Sequence, residues 1–411
     1  MKINKHCFPN GLRLVHYEDT STQMVALNIV YDVGARDEHP EHTGFAHLFE
    51  HLMFGGSAHI PDYDTPLQFA GGENNAWTNN DITNYYLTVP KPNVETAFWL
   101  ESDRMLELAF SEQSLEVQRG VVMEEFKQRC LNQPYGDVGH LFRPLAFRVH
   151  PYRWPTIGKE LSHIEQATLD EVKSFFYRFY APNNAVLAVT GNISWDETVK
   201  LTEKWFAPIP RRDVPVRQLP QEPEQTQERR LTVERNVPLD ALFMGYHMCS
   251  REGADYYAFD ILSDILSNGR SSRLNRRLVQ EQNIFSGIDA YISGTRDAGL
   301  LQISGKPAAG VSLEQAEAAV RKELEELQRS PVDGQELEKV KNKFESTQIF
   351  GNINYLNVAT NLAWFELTGK AEDIDLEVER YRSVTTEQLH TVAQRTFCES
   401  NAVVLYYKSD K

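Results

Sequence analysis

Two histidines four residues apart, His47 and His51, with Glu50 directly before the second, are the residues of this chain best equipped for chemistry. In a helix, positions i and i+4 lie on one face about a turn apart, so both imidazoles can reach one ion. Glu50, at i+3, leans over the same spot. Two imidazole ligands with a carboxylate base beside them is the arrangement that zinc-dependent peptide hydrolysis uses. The spacing H-x-x-E-H is the inverted form of the commoner H-E-x-x-H zinc helix. The competing reading is an ordinary helix whose polar groups satisfy one another without metal. Phe45, Leu48, Phe49, Leu52, Met53 and Phe54 surround the trio in TGFAHLFEHLMFGG, which predicts a largely buried helix. Buried His and Glu need partners.

A catalytic zinc takes three protein ligands and keeps one position open. Downstream, Glu124 and Glu125 lie in LEVQRGVVMEEFKQR, a helical stretch. Adjacent helix residues point about 100° apart, so at most one of the two faces an ion. Val121 and Val122, a turn earlier, are read as turning this side of the helix toward a core. Solvated acids are the ordinary fate of Glu on a helix, and the residues alone leave the choice open.

The elements that must position these groups fall into two halves. With 411 residues, 41% hydrophobic and 24% charged, the chain can build two to three globular cores. Residues 208–229 contain five prolines and little apolar periodicity, which reads as a linker between residues 1–207 and 230–411. Each half begins strand, strand, helix: Leu12–Tyr17 and Met24–Val33 before the His helix, Arg230–Glu234 and Leu239–Cys249 before a helix from about Tyr256. Matching the glycine exits Gly56 and Gly269 pairs His47 with Asp260, Glu50 with Ser263 and His51 with Asp264. This is the pattern of an internal duplication in which only the first copy holds a metal site. Mixed strands and helices without steady βαβ alternation predict an α+β fold: two homologous α/β-sandwich domains, each a mixed or antiparallel sheet with helices on one face.

The net charge of −16 argues against nucleic-acid binding. No apolar run is long enough to span a bilayer, and the N-terminus lacks an apolar signal region. A cytoplasmic chain is expected, or a periplasmic one whose signal has been removed. Cys7, Cys130, Cys249 and Cys398 are scattered, neither a disulfide framework nor a thiolate zinc site.

HTGFAHLFEHLMFGGS, GGENNAWTNNDITNYY, LESDRM, QRGVVMEEF and HPYRWPTIG follow one another in an order that resembles the pitrilysin family of inverted-motif zinc peptidases. The likeness extends more weakly to GRSSRLNRRL, and points to the branch of the mitochondrial processing peptidase and its short bacterial relatives. The resemblance implies one zinc ion held by His47, His51 and Glu125, with Glu50 as general base. It implies that Asn74, Asn75, Ala76 and Trp77 form a sheet edge that takes a peptide as an added strand. Relatives often carry an acid where this chain has Gln118. Many place an Arg and a Tyr, which close over the substrate, at the positions here aligned with Leu278 and Phe285. The family's longer members build a four-domain clam, so this chain would be half of a clam-shaped chamber. Short or unfolded peptides are the expected substrates. A heterodimer with a homologous non-catalytic subunit is the expected assembly, with a homodimer as alternative. A non-catalytic core subunit of a processing-peptidase-like assembly is the rival to an enzyme.

Overall fold

Strand β3 (Met24–Tyr31, MVALNIVY) sets the plan of the first unit. Val25, Leu27, Ile29 and Tyr31 enter one core, and Ala26 and Val30 enter a second on the opposite face, the period-2 alternation of a strand covered on both sides. In the computed structural model, which describes residues 1–410, β3 joins β1 (Asn4–Cys7), β2 (Arg13–Glu18), β4 (Glu73–Thr78), β5 (Thr83–Pro90) and β6 (Ala185–Gly191). The sheet order is β1-β2-β6-β3-β5-β4, with β2 and β6 parallel and the remaining pairs antiparallel. On its larger core pack the helices α1 (Phe45–Leu52), α2 (Glu112–Phe126) and α3 (Leu169–Phe179), through Phe45, Leu48, Phe49, Leu115, Val122, Val172 and Phe176.

The opposite face of this sheet is covered by α4 (Tyr355–Thr368), whose Val358, Ala359, Leu362, Ala363 and Leu367 meet Val15, Ala26, Val30, Val186 and Ala188. The first unit therefore comprises residues 1–131, 154–220 and 349–376. The second comprises residues 132–153, 221–348 and 377–411. Its strands are β7 (Arg229–Arg235), β8 (Ala241–His247), β9 (Phe285–Ile292), β10 (Leu300–Pro307) and β11 (Ala402–Ser409), in the order β7-β11-β8-β10-β9. Helices Tyr256–Ser267, Leu313–Arg329 and Thr386–Thr396 pack on one face, and the helix Val138–Ala146 supplies Phe142 and Ala146 to the other. Two findings refine the sequence reading. Each sheet carries a single further helix on its second face. That helix comes from the opposite half of the sequence, so the units interleave rather than divide cleanly at residues 208–229.

Leaving out the short edge strand β1, both sheets thread in one order: first strand, fifth, second, fourth, third, with the first and fifth parallel. That shared topology is the physical content of the duplication. Among the described residues, no helix is long and apolar enough to cross a membrane.

Beneath α1, the side chain of Arg104 is fully buried and lies over the rings of Phe54, Tyr63 and Tyr85, its carbon centre 5.2, 4.7 and 4.5 Å from their centroids. Its Nε donates to Glu101 Oε2 at 2.9 Å, and the Tyr63 hydroxyl donates to Glu101 Oε1 at 2.6 Å. This pair ties the exit of α1 to strand β5. A buried cation whose partner is removed is left uncompensated, so Glu101→Ala is expected to cost about 3–5 kcal/mol in urea unfolding. A loss below about 1 kcal/mol would show that the ring stacking alone holds Arg104.

Candidate metal centre

Helix α1 starts at Gly44, whose φ of +87° favours glycine. A Cβ there would also meet Ile164 Cδ1 at 2.6 Å and the carbonyl of Ile157 at 2.9 Å. Gly44 has no side chain to cap the helix, and Glu38 does so from outside it. Its Oε2 accepts from Gly44 N–H and its Oε1 from Ala46 N–H, both at 2.9 Å. Burial nonetheless outweighs these bonds and pushes the Glu38 carboxyl up to about 8. The apolar face of α1 is thus fixed against the sheet, and His47, Glu50 and His51 are left on its outer side.

The two imidazole rings stand nearly perpendicular, with centroids 4.9 Å apart. Glu125 Oε2 lies 3.5 Å from His47 Nε2 and 3.3 Å from His51 Nε2. The ligand atoms of the three residues all fall within 4.8 Å of one another, the one such group among the described residues. Both nitrogen–oxygen separations exceed the range of about 2.7–3.2 Å for a good N–H···O hydrogen bond. They match instead the edge of a tetrahedron, about 3.4 Å, whose corners lie about 2.1 Å from a zinc ion. The donor set, two imidazoles and one carboxylate, is one that zinc takes in catalytic sites.

Burial also sets the protonation states. It lowers His47 to about 4, the nearby Glu125 carboxylate opposing, so this ring is neutral near pH 7 and has no proton to shed before ligating. Glu125 is lowered as well, which for a carboxyl favours the charged form: the His51 contact comes first among the causes that hold it below the ordinary value. Glu50 is raised by burial, against the pull of the Thr78 hydroxyl that faces it from the end of β4.

The choice between Glu124 and Glu125 has a structural cause. Val122 is buried and carries Glu125 inward one turn later, at 19% side-chain exposure. Val121 is exposed rather than turned toward the core as the sequence reading had it, and Glu124 follows it outward at 57%. The N-cap Ser111, accepting from Ser114 N–H at 3.0 Å, starts this helix. Gln118, half-buried on α2, lies beside Gly55 at the exit of α1.

Asn74, Asn75, Ala76 and Trp77 lie on β4, the edge of the sheet, which pairs only with β5. Their exposure alternates along the strand, and Asn74 Nδ2 donates to Asp64 Oδ1 at 3.0 Å. Leu278 and Phe285 are elsewhere. They are 1% and 0% exposed and packed in the core of the second unit. The alignment that put them at a substrate-facing position is corrected: core packing takes these side chains inward. The next residue on β9, Ser286, is exposed on the other face, and its hydroxyl donates to the carbonyl of Lys306 at 3.1 Å.

In the second unit, the helix Tyr256–Ser267 occupies the place of α1 in the duplicated order. Asp260 there accepts from the Tyr381 hydroxyl and Asp264 from Asn268 Nδ2 at 2.7 Å, so both carboxylates have local partners. Sequence reasoning missed Glu38, Thr78 and Arg129, which contacts Glu125 Oε1 at 3.0 Å. Arg129 had a readable signal, an acid followed four residues later by a base on one helix face. Glu38 and Thr78 had none.

A family model described as "Insulinase (Peptidase family M16)" matches residues 13–137, and one described as "Peptidase M16 inactive domain" matches residues 166–344. Zinc protease PqqE of Helicobacter pylori is 26% identical over 405 residues, covering 97% of this chain and 91% of the relative. The crystal structure of a protease from Helicobacter pylori superposes with a TM-score of 0.94 at 26% identity, over 99% of each chain. That of the periplasmic protease PqqL from Escherichia coli shares the fold, with a TM-score of 0.81 at 18% identity. Here 99% of this chain covers 47% of the other.

The geometry separates the adjacent acids. Glu125→Gln should weaken zinc binding at least tenfold in a competition titration with a chelating dye, and Glu124→Gln should leave it unchanged. Equal effects of the two would remove Glu125 from the ligand set.

Proposed function

Since the chain belongs to peptidase family M16, the insulinase family, we propose that it is a zinc-dependent endopeptidase acting on short or unfolded peptides. The observation that carries this reading is the convergence of two imidazole nitrogens and one carboxylate oxygen beside a partly buried Glu50. His47, His51 and Glu125 would hold the ion. Zinc so bound supplies Lewis-acid polarisation of a peptide carbonyl and lowers the pKa of water toward about 7.

The chain's own groups account for the rest. Strand β4 offers one unpaired row of N–H and C=O groups, on which an extended peptide can add as a further strand. Backbone pairing of this kind selects for extended shape rather than side-chain identity, which favours unfolded peptides. β4 ends at Thr78, whose hydroxyl faces Glu50, so a peptide docked along this edge runs past the base. Glu50 takes the proton of the attacking water and passes it to the leaving amine. A carboxyl raised by burial is suited to both halves of that transfer, because it accepts a proton more readily than an exposed one.

A length argument supports pairing. The chain spans about half of the PqqL structure whose fold it shares, so a second subunit is proposed to complete a closed chamber. The partner is proposed only as a homologous chain, a second copy or a sister subunit.

Glu50→Gln should lower kcat/KM by about 10²–10⁴-fold or more while leaving the zinc content at one per chain. Full activity in that variant would sink the assignment. A metal-free wild-type protein with no zinc-dependent peptidase activity would favour a non-catalytic subunit.

The pH dependence follows from the same group. Glu50 must be ionised to act, and its pKa is raised from 4.5. The acid limb of kcat/KM is therefore expected to fall away as pH drops through a value above 4.5, and to disappear from the residual rate of Glu50→Gln. An acid limb at or below the ordinary carboxylate value would contradict Glu50 as the base.

A further inference from the structure

The third candidate ligand is held in place by a neighbour. Glu125 has two carboxylate oxygens with different partners. Oε2 faces the Nε2 atoms of His51 and His47 at 3.3 and 3.5 Å, and Oε1 contacts Arg129 Nη2 at 3.0 Å. We propose that Arg129 is a positioning residue of the metal centre: by holding Oε1 it aims Oε2 at the ion and keeps Glu125 a one-oxygen ligand. The proposal rests on the reading of His47, His51 and Glu125 as the zinc-binding set.

The bland alternative is an ordinary i,i+4 surface pair, worth about 0–1 kcal/mol and no more. Two observations separate Arg129 from that class. The carboxylate it contacts is mostly buried and shared with two imidazoles, whereas an ordinary surface acid has water around it. The backbone changes at this point: α2 ends at Phe126 and continues as a π-helical turn, Lys127–Leu131, pinned by the buried side chain of Cys130. Such turns in a helix frequently occur at functional sites. Arg129 thus stands on an anchored turn although its own side chain is 67% exposed.

The neighbouring acid shows the sorting. Glu124 faces Lys127 Nζ at 4.0 Å and accepts from Gln128 Nε2 at 3.3 Å, so the basic and amide groups of the turn divide between the two acids. Arg129 pairs with Glu125.

His47 makes the dependence sharper. Its Nδ1 is buried with no hydrogen-bond partner among the described residues, so packing alone orients that ring. Of these two ligands, Glu125 is the one whose remaining atom is fixed by a polar side chain. Groups that orient metal ligands in this way are typically worth 10–100-fold in metal affinity.

The test uses the full chain, stripped of metal and titrated with zinc against a chelating dye, as wild type, Arg129→Met and Arg129→Lys. Met keeps the apolar stem and removes the charged head at an exposed position, and thermal melting of the metal-free proteins checks that the fold is intact. The expected result is zinc affinity about tenfold or more weaker in Arg129→Met, with Arg129→Lys recovering part of the loss and the metal-free melting temperatures unchanged. The visible absorption of the cobalt(II)-loaded protein should change in Arg129→Met and return toward wild type in Arg129→Lys. Zinc affinity and cobalt spectrum of Arg129→Met within twofold of wild type would overturn the proposal and leave the zinc reading intact. Failure of the wild-type chain to bind zinc at all would overturn both, and so marks the other failure.

Discussion

Desolvation of α1 is the constraint on which the site depends. The apolar residues of this short helix are buried against the sheet, and the same packing takes water away from the polar groups on its other side. One cause then acts on two kinds of group in opposite directions. Burial disfavours charge, so it keeps His47 neutral and makes Glu50 hold a proton more strongly. A neutral imidazole is a metal ligand, and a carboxylate of raised pKa is a base. Both functions come from the placement of one helix, and neither needs a specific hydrogen bond to the group concerned. Glu125 arrives from α2, where it keeps three cationic or imidazole contacts and remains an anion.

What holds α1 in that position is itself polar. Glu38 spans the first turn of the helix, and the Arg104–Glu101 pair lies under its exit. Buried charges of this kind are weak evidence for stability, since apolar residues of the same volume often serve as well. Their value here is geometric: each satisfies specific backbone or side-chain atoms, and so fixes where the helix begins and where the following chain turns. The duplicated unit shows the scaffold without the chemistry. Its strands thread in the same order, and its corresponding helix is also buried. Yet Asp260 and Asp264 are occupied by Tyr381 and Asn268, and among the described residues they form no group of three metal-binding side chains. The shared topology therefore accounts for a place to put a site, and side-chain identity alone decides whether one is there.

The parts of this architecture readable from sequence are those set by local pattern. The period of α1, the helices that became α2 and Tyr256–Ser267, and the strands β2, β3, β7 and β8 all follow from spacing of residues within a single segment. The His–Glu trio was legible for the same reason, because i and i+4 share a face wherever the helix sits. What escaped was nonlocal. The helix Val138–Ala146 and α4 cover sheets built from the opposite half of the sequence, and no pattern within a helix names the surface it will meet. Glu38 caps a helix six residues away through a loop, which no capping signature describes. The error at Leu278 and Phe285 is of a third kind. In a strand, a shift of one residue exchanges the two faces. Phe285 begins β9 facing the core and Ser286 faces away, so an alignment off by one position turns a core residue into an imagined substrate contact. Sequence spacing could place a residue in that strand, but only packing could decide its face. The strength of a family resemblance does not remove that ambiguity, because the matching motifs there are weakest and the alternation of the strand is strict.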